Sequence, residues 1–309
     1  MTNTLEVPDF ANLFGIDTKE LPDDCLEMIR DNNFNYLIIG GQERDKLILN
    51  IFKKIDAGEF SIAGEQGLGR WEKGWGESLN DFLESGFDIS QLIPKYIRSS
   101  QPVRLFQQYV QPEDDSFELN WYKVFRRWLF RTYLSEVDAI YEFGCGSGFN
   151  LVTLAELFPK KVIFGMDWVK QSVDIVNKLA ESKGYKTKGK LFDFFNPDQQ
   201  FQILPNSAVI TIGALEQTGK RYRKFLDYLI RSKPAIVINI EPTVEWYDAN
   251  NLVDYAAIRF HLKRNYWQGF PTALEKLRDE EKVEILKQKR SYFGSLYVEG
   301  YSQSIWRPI

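Results

Sequence analysis

Glycine occupies every second position directly after a short apolar stretch of the chain. Residues 139–143 are apolar and rich in β-forming side chains, with Glu142 next to the end. Gly144, Gly146 and Gly148 follow. Glycines let a backbone bend sharply and approach a ligand closely, because no side chain separates the backbone from the ligand. The spacing therefore predicts a ligand-binding turn between a strand and a helix.

Histidine and cysteine are scarce. The chain has one histidine, His261, and two cysteines, Cys25 and Cys145. A zinc site made of several such ligands is excluded, as is a secreted scaffold held by several disulfides. We assign no metal. His261 is the only histidine available as a general base, and the ordinary pKa of histidine, about 6.5, suits that task at neutral pH.

From residue 137 onwards, strand-like and helix-like segments alternate. The predicted strands are 139–143, 162–166, 189–193, 208–212 and 235–240, with a closing hairpin of 283–290 and 301–306. The predicted helices between them are 149–158, 169–182 and 218–231. Such alternation predicts an α/β fold with a mostly parallel sheet covered by helices on both faces.

Residues 1–136 have a different pattern, mostly of helices and loops. We predict that they form a mainly helical substrate or lid domain, separate from a second domain at 137–309. A glycine-rich segment around Trp71 and Trp75 has the composition of a mobile binding loop. Trp121 and Trp128, on a predicted helix, are expected to fill the core between the two domains.

The strand, the Glu142-x-Gly-x-Gly-x-Gly148 turn and the following helix together resemble the class I S-adenosylmethionine-dependent methyltransferases. A dinucleotide-binding turn has the pattern G-x-G-x-x-G. Here the third glycine comes one residue early, and Phe149 stands in its place. The resemblance implies a seven-stranded, mostly parallel Rossmann-like sheet with a C-terminal antiparallel hairpin, and S-adenosyl-L-methionine as cofactor. It covers residues 137–309.

The resemblance also implies roles for residues at successive strand ends. The turn would wrap the amino-acid end of the cofactor, Asp167 would hold the ribose hydroxyls, and Asp193 would contact the adenine amino group. Trp168 would pack on the adenine, with packing against the next helix as the alternative. The implied cofactor-binding residues are Glu142, Gly144, Cys145, Gly146, Gly148, Asp167, Trp168, Asp193, Phe194 and Gly213.

The methyl acceptor is predicted to be a hydroxyl. The end of the fourth strand lacks the Asn/Asp-Pro-Pro-Tyr/Phe sequence of enzymes that methylate base amines. Hydroxyl methylation usually needs a general base. His261 follows the fifth strand in an aromatic segment that we expect to border the acceptor pocket, although its helical spacing also fits a structural role. Glu216 and Glu241, each at a strand end, are the other candidates for base or acceptor binding.

Charge and composition limit the partners. The net charge is −4, so no broad basic surface for nucleic acid is expected. The first residues do not resemble a signal peptide, and no apolar stretch approaches a membrane span. We expect a cytoplasmic enzyme acting on a small molecule or glycan, loosely similar to bacterial sugar methyltransferases. The alternatives are an NAD-dependent oxidoreductase and a non-catalytic methyltransferase-like binding module.

Overall fold

The computed structural model describes residues 2–309, which form twelve strands and ten helices. The strands are β1 (Asn3–Thr4), β2 (Asn35–Ile38), β3 (Val103–Leu105), β4 (Gln108–Pro112), β5 (Ala139–Phe143), β6 (Val162–Asp167), β7 (Thr187–Leu191), β8 (Ser207–Ile212), β9 (Ile236–Ile240), β10 (Val283–Lys289), β11 (Phe293–Gly294) and β12 (Gln303–Pro308). The helices are α1 (Val7–Phe14), α2 (Asp23–Asp31), α3 (Gly41–Asp56), α4 (Leu68–Glu84), α5 (Phe117–Leu134), α6 (Phe149–Leu157), α7 (Lys170–Lys183), α8 (Arg223–Ser232), α9 (Leu252–Arg264) and α10 (Phe270–Asp279).

The larger of two sheets has seven strands in the order β10-β12-β9-β8-β5-β6-β7. The five strands from β9 to β7 pair in parallel. Strand β12 runs antiparallel to both of its neighbours, β9 and β10. The prediction of a mostly parallel α/β sheet is confirmed, and the glycine turn follows β5, the middle strand of the five parallel ones.

Both faces of this sheet are buried, which explains its apolar strands. Ile140, Ile210 and Ile238 belong to one buried cluster. Their chain neighbours, among them Tyr141 and Val209, belong to another. Because successive side chains of a strand point to opposite faces, each central strand supplies both clusters. The strands therefore read as continuous apolar runs.

The smaller sheet contains the strands of the N-terminal half. Its order is β1-β2-β4-β3-β11, and all neighbours are antiparallel. Strand β11 comes from the C-terminal half of the chain, where Phe293 pairs with Leu105 of β3. The first 136 residues therefore combine five helices with four short strands, and the C-terminal half completes their sheet. The division at residue 136 stays a prediction.

Aromatic side chains of α5 fill the core between the two sheets. Trp121 and Trp128 have no exposed surface. The Trp121 ring stacks on Phe293 of β11 at 4.0 Å between centroids, and Trp128 stacks on Phe14 of α1 at 4.7 Å. The prediction that these tryptophans form core is confirmed, since both belong to the cluster that also holds Ile140.

A buried ion network joins the smaller sheet to α9 and to the segment before β12. The Arg104 side chain of β3 donates to Asp254 Oδ1 of α9 at 3.0 Å. Arg290 donates to Asp254 Oδ1 at 2.6 Å and to both carboxylate oxygens of Glu299. All four side chains are at most 9% exposed. The network therefore fixes the C-terminal segment against the N-terminal strands.

Two kinds of feature are absent from residues 2–309. No helix there combines the length and the apolar character needed to cross a membrane. No three His, Cys, Asp or Glu side chains of these residues come together as possible metal ligands.

Candidate cofactor and acceptor site

The glycine turn, residues 144–148, connects β5 to α6. Gly144, Gly146 and Gly148 have φ angles of 75°, 52° and 73°, a region that other residues rarely adopt. Space is short as well: a Cβ on Gly144 would lie 2.3 Å from the Cβ of Ala214, and one on Gly146 would lie 2.7 Å from Cζ2 of Trp75. Both backbone conformation and packing thus require glycine at positions 144 and 146.

Two cavities border this turn at the carboxyl ends of the parallel strands. The larger cavity has a volume of about 300 Å³ and the smaller one about 70 Å³. The crevice at this edge of a parallel sheet, where the strand order reverses, is the usual ligand site of such folds. The residues that border both cavities are Trp71, Trp75, Gly144, Gly146, Gly213 and Gln217.

Glu142 borders the larger cavity and is 1% exposed. Its Oε1 accepts a hydrogen bond from Asn150 Nδ2 at 2.8 Å, whereas its Oε2 has no partner among the described residues. Burial raises the pKa of Glu142 to about 8. A buried carboxylate oxygen without a donor suits a cationic donor from a ligand.

Asp167 ends β6 and borders the smaller cavity. Its Oδ2 accepts from the Gly146 N–H at 2.9 Å and its Oδ1 from the Val169 N–H at 3.0 Å. Burial raises its pKa to about 6 in spite of these donors. Since a carboxylate has about four acceptor positions, Asp167 can still accept from ligand hydroxyls.

The other implied cofactor residues divide into two groups. Trp168, Phe194, Cys145 and Gly213 border one or both cavities. Gly148 borders neither; a Cβ there would lie 3.2 Å from a methyl group of Leu179 on α7, so this glycine packs the helix against the turn.

Asp193 does not border either cavity, although its neighbours Phe192 and Phe194 border the smaller one, and its contact with the adenine stays a prediction. Strand β7 ends at Leu191, two residues earlier than predicted, so Asp193 lies in the following loop. Its carboxylate accepts from the Phe195 N–H at 2.8 Å and from the Asn196 side chain at 3.1 Å. The neighbouring Phe194 borders the smaller cavity instead.

Glu216 follows β8 in a 3₁₀-helical segment (Leu215–Arg221) that is interrupted at Gly219. It borders the larger cavity and is 4% exposed. Its Oε1 accepts from Gln217 Nε2 at 2.8 Å. Glu216 Oε2 and Gln217 Oε1 are both buried and have no partner within residues 2–309. Glu216 thus borders the cavity with one oxygen held by Gln217, and its carboxylate also lies next to that of Glu241.

Glu241 does not border either cavity, contrary to expectation. It ends the β9 region with no exposed surface, and its carboxylate accepts from the backbone N–H groups of Ala214 and Leu215 at 3.0 Å and of Glu216 at 3.3 Å. Burial and the adjacent Glu216 carboxylate raise the pKa of Glu241 well above its ordinary value. Its geometry is that of a positioning residue for the segment that carries Glu216.

His261 is also placed away from both cavities, which corrects its expected role as base. It has no exposed surface, and its Nε2 lies 2.7 Å from the carbonyl oxygen of Trp267. The carbonyl can only accept, so Nε2 carries the proton and donates. Burial lowers the pKa of His261 to about 4, so it stays neutral at physiological pH. Other residues of this aromatic segment, Phe260 and Tyr266, do border the larger cavity.

The segment around Trp71 and Trp75 is a helix, not the loop expected from its glycines. Both rings lie on α4 and stack at 5.6 Å between centroids with an interplanar angle of 17°. Residues four apart lie on the same face of a helix, so the spacing of the two tryptophans indicates a helix, although the nearby glycines favour a loop. The larger cavity also contacts side chains that no sequence motif marked, namely Tyr96, Arg98, Gln101, Arg264, Ser295, Tyr297 and Tyr301.

The chain is similar over part of its length to solved structures of methyltransferases. One is the plantazolicin methyltransferase BpumL in complex with SAH (13% identity, 60% of this chain and 80% of that chain, TM-score 0.42). Another is a SAM-dependent methyltransferase from Aquifex aeolicus (16% identity, 59% and 87%, TM-score 0.40). A third is an O-methyltransferase family 2 protein from Planctomyces limnophilus DSM 3776 in complex with apigenin (9% identity, 63% and 59%, TM-score 0.42).

No protein-family model matches the chain, and no curated protein matches it either. At these identities and TM-scores, neither the activity nor the ligand of any of the three proteins carries over to this chain.

Proposed function

We propose that this chain is an S-adenosyl-L-methionine-dependent methyltransferase. The observation that carries the proposal is the pair of buried acids on either side of the glycine turn, with Glu142 at the larger cavity and Asp167 at the smaller one. The cofactor has an ammonium group at one end and two ribose hydroxyls towards the other, and carboxylates bind both kinds of donor. The turn between the acids permits close approach of a ligand.

The lining residues fit this cofactor. The unpartnered Oε2 of Glu142 would accept from the ammonium group, and Asp167 would accept from the ribose hydroxyls. The rings of Trp168 and Phe194 would flank the adenine, and Gly213 leaves room at the end of β8. When bound, the cofactor supplies a methyl group activated by a sulfonium.

We further propose that the acceptor is a hydroxyl of a small molecule or sugar and that Glu216 is the general base. Glu216 Oε2 would take the hydroxyl proton as the acceptor oxygen bonds to the methyl carbon, while Gln217 holds Oε1. Glu241 would keep the Glu216 backbone in place through its N–H contacts. Aromatic side chains such as Phe260 and Tyr297 give this cavity walls for a ring.

The two alternatives are less well supported. A dinucleotide-binding sheet has the parallel strand order 3-2-1-4-5-6, whereas β12 is antiparallel between β9 and β10 here. The early third glycine, Gly148, also departs from that pattern. A non-catalytic module would have no need for a buried acid such as Glu216 with an oxygen unpartnered beside the ligand cavity.

Calorimetry tests the cofactor. The purified protein is expected to bind S-adenosylmethionine and its demethylated product, S-adenosylhomocysteine, and not NADH. Gly146→Ala should abolish binding, because its Cβ would clash with Trp75 in an unfavourable backbone region. Absence of binding to both sulfur ligands would overturn the proposal, and binding of NADH alone would favour the oxidoreductase.

Methyl transfer from labelled cofactor to a panel of phenols, catechols and sugars tests the base. For any acceptor methylated, Glu216→Gln should lower kcat by about 10²- to 10⁴-fold, the usual contribution of a general base, while the cofactor Kd stays the same. Glu245→Gln, an exposed glutamate outside both cavities, is the matched control. A Glu216→Gln enzyme that keeps wild-type kcat would remove Glu216 as base.

A further inference from the structure

Two tryptophans stand where the larger and smaller cavities meet. Six residues border both cavities, and only Trp71 and Trp75 among them are aromatic. Both rings belong to α4, which lies outside the large sheet, and both are half-buried. The junction of the cavities is therefore formed by the glycine turn on one side and an indole pair on the other.

The position of the Trp75 ring is closely defined. Its Cζ2 would lie 2.7 Å from a Cβ on Gly146 and its Cη2 3.0 Å from the same atom, so the benzene side of the indole fills the space that a side chain at position 146 would need. The ring also stacks on Trp71 at 5.6 Å. With the glycine turn on one side and Trp71 on another, Trp75 forms a fixed wall of the junction.

The two rings differ in what already occupies their faces. The guanidinium carbon of Arg70 lies over the Trp71 ring, 5.0 Å from its centroid. No lysine or arginine within residues 2–309 lies over Trp75 in this way. Trp71 thus already pairs with a cation, whereas no lysine or arginine of the described residues pairs with Trp75.

The proposed cofactor would carry a cation to this junction. Its amino-acid end belongs with Glu142 in the larger cavity and its ribose end with Asp167 in the smaller one. The sulfonium is the atom that joins those two ends, so a ligand spanning both cavities carries its positive charge past the residues they share. A cation beside the face of tryptophan is stabilised by the quadrupole of the ring, more strongly when water is excluded.

We propose that Trp75 binds the sulfonium charge and so makes the cleft prefer the charged cofactor over its neutral demethylated product. The inference rests on the proposed function. It assigns a specificity-determining role to a residue of the N-terminal half. Loss of the charge on methyl transfer removes the attraction to the ring, which assists release of the product.

Calorimetry with three ligands tests the proposal: S-adenosylmethionine, neutral S-adenosylhomocysteine, and sinefungin, in which a carbon bearing an amine replaces the sulfonium. Trp75→Leu should weaken S-adenosylmethionine and sinefungin by about tenfold, in the range of a desolvated cation–π contact, and leave S-adenosylhomocysteine unchanged within about threefold. Trp71→Leu should change the ratio less, because Arg70 already lies on that ring. Trp246→Leu, outside both cavities, is the control.

Other results of these binding measurements would overturn the proposal. Equal weakening of charged and neutral ligands in Trp75→Leu, or no change in either, would overturn the role of the ring in charge selection. If Trp75→Leu does not fold, Trp75→Phe keeps a ring of weaker quadrupole and should lower the preference for S-adenosylmethionine by about two- to threefold. A wild-type ratio in that variant would overturn the proposal. Failure of the wild-type protein to bind any of the three ligands would instead overturn the proposed function.

Discussion

Buried acids occur in two regions of this protein, and they differ in how their oxygens are satisfied. In the ion network, Asp254 accepts from Arg104 and Arg290 on Oδ1 and from the Gln107 side chain and the Asp248 N–H on Oδ2. Glu299 accepts from Arg290 on both oxygens. At the cavities, by contrast, Glu142 and Glu216 each keep one oxygen without a partner among the described residues.

The comparison teaches where buried charge serves the fold and where it serves a ligand. Burial alone would raise the pKa of Asp254, yet donors led by Arg290 lower it below its ordinary value. Burial raises the pKa of Glu142 to about 8, because the hydrogen bond from Asn150 and the positive charge of Arg126 compensate only in part. An acid with every oxygen bonded stabilises its surroundings, whereas one left incomplete at a cavity costs stability until a ligand completes it.

The largest expected effect comes from breaking the ion network. Asp254→Ala would leave Arg104 and Arg290 buried beside a missing partner. The free energy of unfolding should fall by about 3–5 kcal/mol, as is typical when one member of a buried ion pair is removed. Urea denaturation followed by circular dichroism measures it.

An exposed ion pair provides the control for that variant. Glu284 and Arg307 pair across β10 and β12 at 2.6 Å with about half of each side chain exposed. Glu284→Ala should cost less than about 1 kcal/mol. If the two variants cost the same, the assignment of the buried network to stability is wrong.

Glu142→Gln should have an intermediate effect with opposite signs on stability and binding. Without ligand, the variant should be more stable by at least roughly 1 kcal/mol at neutral pH, since the wild-type Glu142 carboxyl takes up a proton on folding and glutamine does not. Binding of S-adenosylmethionine should weaken by about 10- to 100-fold through loss of a charge-assisted hydrogen bond. Thermal unfolding and calorimetry on the same samples measure both, and a variant that is less stable yet binds normally would contradict the comparison.

The raised pKa of Glu142 also predicts how the stability of the protein changes with pH. The folded protein holds the Glu142 proton up to about pH 8, whereas the unfolded chain releases it near the ordinary value of 4.5. The contribution of Glu142 to stability is therefore complete below pH 4.5 and is lost as the pH rises towards 8. The stability advantage of Glu142→Gln should accordingly grow between pH 5 and 8.

The smallest effect on activity is expected at His261. His261→Gln should leave methyl transfer within about threefold of wild type, because the side chain lies outside both cavities; loss of a general base would cost far more. The folded protein resists protonation of His261 down to about pH 4, while the unfolded chain takes up the proton near 6.5. Stability is therefore lost as the pH falls from 6.5 to 4, and the variant should lose less of it. A large fall in turnover at unchanged stability would restore His261 as base.

The sequence predicted the large sheet and the glycine turn because both depend on local signals. Strands β5, β8 and β9 are short apolar runs, and Gly144 and Gly146 follow one of them directly. The strand ends also located Glu142, Asp167 and Glu216 at the cavities. Here the carboxyl ends of parallel strands meet at one edge, so order along the chain determines proximity.

The remaining features depend on contacts between distant segments. The smaller sheet has strands of two to five residues, too short for a periodic pattern, and one of them, β11, is supplied by the other half of the chain. The aromatic segment after β9 was expected to border the acceptor pocket, and Phe260 does border the larger cavity. The helical spacing of this segment could not show that the next residue, His261, points towards Trp267 instead. Strand β7 ends two residues earlier than predicted, so Asp193 lies in the loop after it.

Strand β11 has a consequence for synthesis on the ribosome. Strands β1 to β4 are made within the first 112 residues, but the edge of their sheet at β3 stays open until Phe293 and Gly294 have emerged. The ion network around Arg104 of β3 likewise cannot form until Arg290 and Glu299 have been synthesised. The N-terminal half is synthesised first, but its sheet is completed only when β11 has been synthesised. Until then, the open edge at β3 needs protection from pairing with other chains.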